Sequence, residues 1–151
     1  MRKFEIVSGN FLQYGTKEIK IPFRATKNSA GYDFFSPIDT IISPNKIQLI
    51  WTNIKAEFNS SEVLMLFVTS KIGKNGVMIA NGTGIIDADY YSNKNNDGNI
   101  GFLLYNFGSS DYKINKGDKI GQGIFMKFLT VDNEEEINET RVGGFGSTIK
   151  N

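Results

Sequence analysis

Short apolar runs, alternating or continuous, fill most of the chain and are broken at close intervals by Asn, Ser, Gly and Pro, with no long stretch of helical period between them. Residues 3–7 and 17–21 alternate on either side of Ser8-Gly9-Asn10 and read as peripheral strands. Residues 40–42, 46–51, 54–58 and 63–68 are β-rich segments parted by Ser43-Pro44-Asn45, Thr52-Asn53 and Asn59-Ser60-Ser61. That spacing predicts a sandwich or barrel. Strands resume over residues 100–107, 111–114 and 120–129, the last entered through the turn Lys116-Gly117-Asp118-Lys119. Gln122 lies between Gly121 and Gly123, where a central strand prefers larger side chains. Close approach of a ligand or partner would explain these glycines, and so would a β-bulge. Trp51 is assigned to packing.

Within this pattern the stretch from Ala80 to Tyr91 stands apart. Asn81-Gly82 predicts a tight turn, since both residues tolerate positive φ, and the β-branched Ile85 and Ile86 predict a short strand after it. Strand alternation sends Asp87 and Asp89 to one face and Ala88 and Tyr90 to the other. A carboxylate at the end of a buried strand, beside free backbone groups, suits activation of water; punctuation of a turn is the plainer alternative. Upstream, residues 69–76 hold hydroxyls, lysines and glycines. A helical turn capped by Thr69 or Ser70 would aim backbone amides and Lys71 at an anion, and an ordinary surface loop has the same composition. Asp33 is either a carboxylate of a phosphate or metal-water site or an edge-strand Asp facing water.

Three polar stretches complete the pattern. Residues 93–99 contain nothing apolar and are expected as an exposed hairpin tip. Residues 132–140 form an acidic connector, long enough when extended to reach a neighbouring molecule. The glycine-rich residues beyond it are either an unordered terminus or a flap. As a flap, Phe145 would stack on a ring while Arg141, Ser147 and Thr148 reach phosphates.

Composition then narrows the chemistry. The 151 residues suit one domain, and with Cys 0 and His 0 there is no thiol nucleophile, no Ser-His or Cys-His pairing and no zinc site built on those ligands. A hydrolase built from this chain uses a carboxylate base and a hard, oxygen-bound cation such as Mg²⁺. A formal net charge of +1 argues against a nucleic-acid-coating surface. No apolar run is long enough to span a bilayer and none follows the initial charges as a signal core, so a cytoplasmic protein is expected.

Taken in order, Ala30-Gly31-Tyr32-Asp33, Thr69-Ser70-Lys71, Asn81 through Tyr90, Gly117-Asp118-Lys119-Ile120-Gly121-Gln122 and Gly143-Gly144-Phe145-Gly146-Ser147-Thr148 resemble the motif series of the trimeric dUTPases, almost end to end. The polar insert after Tyr91 looks most like members from Gram-positive bacteria and their phages. The resemblance implies an all-β, distorted jelly-roll barrel over residues 1–131 with at most one short helix, and a connector and flexible tail over residues 132–151 that closes over a site. It also implies a homotrimer whose sites draw on three chains, and Mg²⁺-dependent hydrolysis of dUTP to dUMP and pyrophosphate by attack of water on the α-phosphorus. Asp87 matches the water-activating base. Asn81 and the backbone around Ile85 and Ile86 match the uracil-reading hairpin, and Tyr90 matches the ring under deoxyribose that leaves no room for a 2′-hydroxyl. Asp33 matches the acid that holds Mg²⁺ through waters. Ser70 and Gln122 match phosphate contacts, with Lys71 and Gly73 in the same substrate loop. Phe145 matches the tail aromatic over uracil, with Arg141, Gly146, Ser147 and Thr148 closing on the phosphates.

Three positions depart from the family pattern: Thr69 stands where Arg is usual, Ile149 where Gly is usual, and Arg141 lies one residue nearer the glycines than in many members. Lys71 is placed to substitute for the missing cation, with different geometry. A regulatory protein that engages a repressor through a dUTPase surface, with weak catalysis, is the rival reading from another class. A dCTP deaminase shares the fold, but the Gly-Gly-Phe-Gly-Ser tail argues against it.

Overall fold

The computed structural model describes residues 1–15 and 18–144. Its strands, in order, are β1 (Lys3–Ile6), β2 (Tyr32–Phe35), β3 (Thr40–Ile42), β4 (Ile47–Trp51), β5 (Ile54–Glu57) and β6 (Glu62–Phe67). A single helical turn, α1 (Ser70–Lys74), follows, and then β7 (Val77–Ile79), β8 (Gly84–Asp87), β9 (Gly101–Asn106), β10 (Tyr112–Ile114) and β11 (Lys119–Lys127). The four-stranded sheet runs β2-β11-β6-β8, the three-stranded sheet runs β4-β9-β7, and β1-β5 and β10-β3 pair separately, every pairing antiparallel. This agrees with the sandwich or barrel expected from the spacing of the apolar runs and is the all-β jelly roll with one short helix that the family resemblance implied.

Alternation along the strands makes the core. In β6 and β9 every second residue is buried, which turns Leu64 and Leu66 of one sheet toward Phe102 and Leu104 of the other. Phe34 bridges them, its ring centroid 5.3 Å from that of Phe102. The glycines of β11 make room for this core. The register shifts between Lys119 and Gly121, and a Cβ at Gly121 would lie 2.2 Å from Cε1 of Phe102 and 2.7 Å from the carbonyl oxygen of Phe67. Both a bulge and a close approach are present, the approaching groups being Phe102 of the opposite sheet and the neighbouring strands β2 and β6 of the same sheet.

Three local expectations are corrected. Residues 18–21 form no strand, since no described strand pairs with them; residue 17 lies outside the described residues. Asp89 does not continue the strand of Asp87, for the chain turns into a 3-10 helix over Ala88–Tyr90. Residues 93–99 are not an exposed tip: Asn93, Asp97 and Asn99 are buried, and their polar groups are satisfied by one another and by the barrel. Burial here comes from hydrogen bonding, which the absence of apolar side chains cannot forbid.

Candidate active site

The predicted turn and the short strand after it form, but the strands flanking the turn do not pair as a hairpin: β7 joins β9 in one sheet and β8 joins β6 in the other. Gly82 takes φ +82°, its N–H donates to the carbonyl of Ile79 (2.9 Å), and β8 then leaves the turn to pair with β6 alone. Because β8 ends its sheet, its outer edge presents backbone donors and acceptors that no neighbouring strand takes. Against that edge lies a cavity of about 260 Å³ lined by Asn81, Ile85, Ile86, Asp87 and Tyr90, with Leu66, Ile79 and Phe102 as its apolar floor. The chain's later residues Arg141 and Gly144 complete the wall.

Asp87 and Asp89 meet although they sit on different elements. The 3-10 turn rotates Asp89 back beside the strand end, where the Arg141 guanidinium holds both carboxylates: Nε donates to Asp89 Oδ1 (2.9 Å) and Nη2 to Asp87 Oδ2. Arg141 is largely covered while the two acids remain about half exposed, so its charge sits at the cavity mouth over carboxylates that water still reaches. Residues 141–144 thus lie on the chain's own cavity. Phe145, Gly146, Ser147 and Thr148, predicted to close the tail, lie outside the described residues.

Tyr90 is 5% exposed and forms the side wall of the cavity. Its hydroxyl donates to the carbonyl of Asn99 (2.6 Å) and accepts from Nδ2 of Asn96 (2.6 Å). Burial pushes its phenol pKa up, opposed by the Asn96 bond and the charge of Arg141. Gly144 comes so near the ring that a Cβ there would stand 2.6 Å from Cε2.

A second recess, of about 580 Å³, gathers Asp33, Ser70, Lys71, Lys119 and Gln122 around the N-terminal end of α1. Thr69 is the N-cap residue in extended conformation but its side chain makes no cap bond, so the predicted turn forms without the predicted hydroxyl cap. Asp33 is buried rather than water-facing, and Lys119 Nζ stands 2.7 Å from its Oδ2. Gln122 reaches the recess because Gly31 has no side chain; a Cβ there would fall 2.3 Å from Gln122 Oε1. Lys71 is exposed and, among the described residues, has no ion-pair partner. Gly73 lies in α1 but lines neither the cavity nor the recess.

The predicted site residues therefore fall into two groups. β2 and β8 are opposite edges of one sheet, and the pairings Asp33 with Gln122, Gln122 with Phe67 and Val63 with Asp87 also offset the acids along the strands. At ~4.8 Å between strands and ~3.3 Å per residue, Asp33 and Asp87 are roughly 20 Å apart. Residues that single-sequence reasoning missed are Asn96, Asn99 and Gly144. The motif spelling marks Gly144, but nothing local marks the two asparagines.

Comparison with known proteins identifies the family. The family model described as dUTPase matches residues 17–149. A deoxyuridine 5′-triphosphate nucleotidohydrolase of Lactococcus lactis subsp. lactis (strain IL1403) is 39% identical over 150 residues, covering 98% of this chain and 97% of its own. The crystal structure of a dUTPase from Streptococcus mutans superposes with a TM-score of 0.77 at 36% identity, over 87% of this chain and 99% of that one. The dUTPase from phage phi11 of S. aureus shares the fold, with a TM-score of 0.71 at 22% identity over 92% of this chain and 97% of its own.

Proposed function

We propose how this chain, which belongs to the dUTPase family and hydrolyses dUTP, divides that reaction between its cavity and its recess. The observation that carries the reading is the Asp87 carboxylate at the end of an edge strand whose free backbone groups face a base-sized cavity. Uracil pairs with the outer edge of β8 beside Asn81, a pattern of fixed donors and acceptors that rejects bases with the wrong edge. Deoxyribose lies on Tyr90. Asp87 takes a proton from the water that attacks the α-phosphorus, giving dUMP and pyrophosphate. Arg141, which caps Asp87 and Asp89, moves toward phosphate oxygens when these arrive, since guanidinium binds either anion and the substrate carries the larger charge.

The recess receives the phosphate chain: Ser70 and Gln122 as hydrogen-bonding groups, and Lys71, which has no ion-pair partner among the described residues, as a cation in place of an Arg at position 69. Among the described residues no group of three or more acidic side chains could cage a metal. One buried carboxylate fits Mg²⁺ delivered on phosphates and held through water, and Asp33 is that group. Bound there, the ion would neutralise charge on the phosphate oxygens.

Since the two regions of one chain lie roughly 20 Å apart, too far for one extended nucleoside triphosphate to join, the cavity of one chain works with the recess of another. A homotrimer meets this need. The exposed Phe128, Leu129 and Val131, which follow β11, supply apolar surface for such an assembly to cover. The test is pyrophosphate release from dUTP with Mg²⁺. Asp87→Asn should fold, still bind dUTP and lose turnover by at least a hundredfold, the scale of general-base catalysis. Full turnover in that variant would overturn the role of Asp87.

A further inference from the structure

The partly buried loop after Tyr91 reaches the site chiefly through Tyr90, at its hydroxyl and its backbone carbonyl. Asn96 gives its Nδ2 to that oxygen at 2.6 Å, and its Oδ1 is fixed from behind by Nδ2 of Asn93 (2.7 Å) and the N–H of Gly98 (3.1 Å). Asn93 also donates to the carbonyl of Tyr90 itself (2.8 Å), and Asn99 accepts the phenol proton (2.6 Å). Ring and backbone of Tyr90 are therefore bound to one rigid polar loop. The loop is in turn locked to the barrel by Asn99 Oδ1, which accepts from the N–H of Asn53 (2.9 Å).

We propose that Asn96 is a positioning residue that holds the Tyr90 ring against the sugar side of the cavity, so that the loop after Tyr91 sets the discrimination between deoxyribose and ribose nucleotides. The inference rests on the reading that Tyr90 packs under the sugar. A wall that excludes one hydroxyl by shape does so only while it cannot yield. An aromatic ring without its polar tether rotates about its side-chain torsions into neighbouring wells, and a displacement below an ångström already admits an oxygen atom. Exclusion of an added hydroxyl by shape alone is worth on the order of a hundredfold, and that margin depends on the tether.

The experiment measures kcat and KM for dUTP and UTP in the intact chain, in Asn96→Asp, in Tyr90→Phe and in the double variant. Asn96→Asp keeps the acceptor that Asn93 and Gly98 use but removes the donor to Tyr90. The ratio of kcat/KM for dUTP over UTP should fall about tenfold, through a gain on UTP, while kcat for dUTP stays within about threefold. Tyr90→Phe removes this bond together with the hydroxyl's donation to the Asn99 carbonyl and should lower the ratio at least as far, so it decides the matter if Asn96→Asp does not fold. In the Tyr90→Phe background, Asn96→Asp should add nothing, because the bond is already gone. An unchanged ratio in both single variants, or a further fall in the double variant, overturns the inference while dUTP turnover by the intact chain keeps the underlying reading. Absence of turnover by the intact chain overturns that reading and this inference with it.

Discussion

Gly143 and Gly144 are adjacent and alike in the sequence, yet they press on different neighbours. A Cβ at Gly143 would fall 2.2 Å from Asn95 Nδ2, the far end of an exposed side chain that rotates away at little cost. A Cβ at Gly144 would fall 2.6 Å from Tyr90 Cε2, in a ring bound at its hydroxyl and buried on its faces. Gly144→Ala should therefore lower kcat/KM for dUTP by about tenfold or more, as misplacement of a bound substrate does, and Gly143→Ala by less than about threefold. Steady-state kinetics of the two variants gives the order, and equal losses would show that the tail does not pack on Tyr90 during turnover. At this scale the sequence was legible where a residue's conformation is set by its immediate neighbours, as in the turn at Asn81-Gly82 and the strand of Ile85 and Ile86 after it. It was silent where the partner is remote. The burial of Asp33 depends on Lys119 of β11, and the place of Gln122 depends on the missing side chain of Gly31.

Among the elements, the loop of residues 93–99 departs most from what its composition implies. A run of asparagines and charges has no apolar area with which to offset burial, so exposure was the natural expectation. What holds it in place is Lys55 on β5, whose Nζ lies 3.0 Å from Asp97 Oδ2, together with the N–H and hydroxyl of Ser8 on the same oxygen (2.7 and 2.9 Å). Burial raises the Asp97 pKa, but the Ser8 amide, Lys55 and the Ser8 hydroxyl together outweigh it and hold the carboxyl below its ordinary value. Asp97→Asn would leave the Lys55 ammonium facing a neutral amide in a covered site, a loss of about 3 kcal/mol. The sign with pH follows from the depressed value. The ionised pair stabilises the fold above the unfolded carboxylate pKa of ~3.9, and that contribution disappears as pH falls through the lower folded value. The melting temperature of Asp97→Asn should lie below that of the parent at neutral pH, and the gap should close as pH drops below about 4. A gap independent of pH would mean that packing, not charge, sets the cost.

Considered whole, the chain has a cavity of about 260 Å³ and a recess of about 580 Å³ on opposite edges of one sheet, and on the function proposed above neither is a complete site alone. The order of the motifs makes the family legible, but no sequence pattern says which motifs meet within one copy. The acidic connector is long enough to carry the tail to a neighbour, and in the single chain residues 141–144 rest on its own cavity. A complementation experiment separates the two groups. Asp87→Asn has a dead cavity and a sound recess; Asp33→Asn combined with Ser70→Ala has the reverse, and each alone should be nearly inactive. Refolded together in equal amounts, randomly mixing chains place about three quarters of cyclic trimers in mixed rings. If each site joins the cavity of one chain to the recess of the next, a mixed ring contains one intact-cavity chain followed by an intact-recess chain, hence one good site in three. About a quarter of the parent activity should return. By contrast, Asp87→Asn mixed with Arg141→Ala should recover nothing through these residues, because Arg141 caps the Asp87 of its own chain and both lesions fall in the same half-site. Recovery in the second mixture and none in the first would place the recess with its own cavity and the tail with a neighbour's, reversing the division of the site drawn from the sheet order.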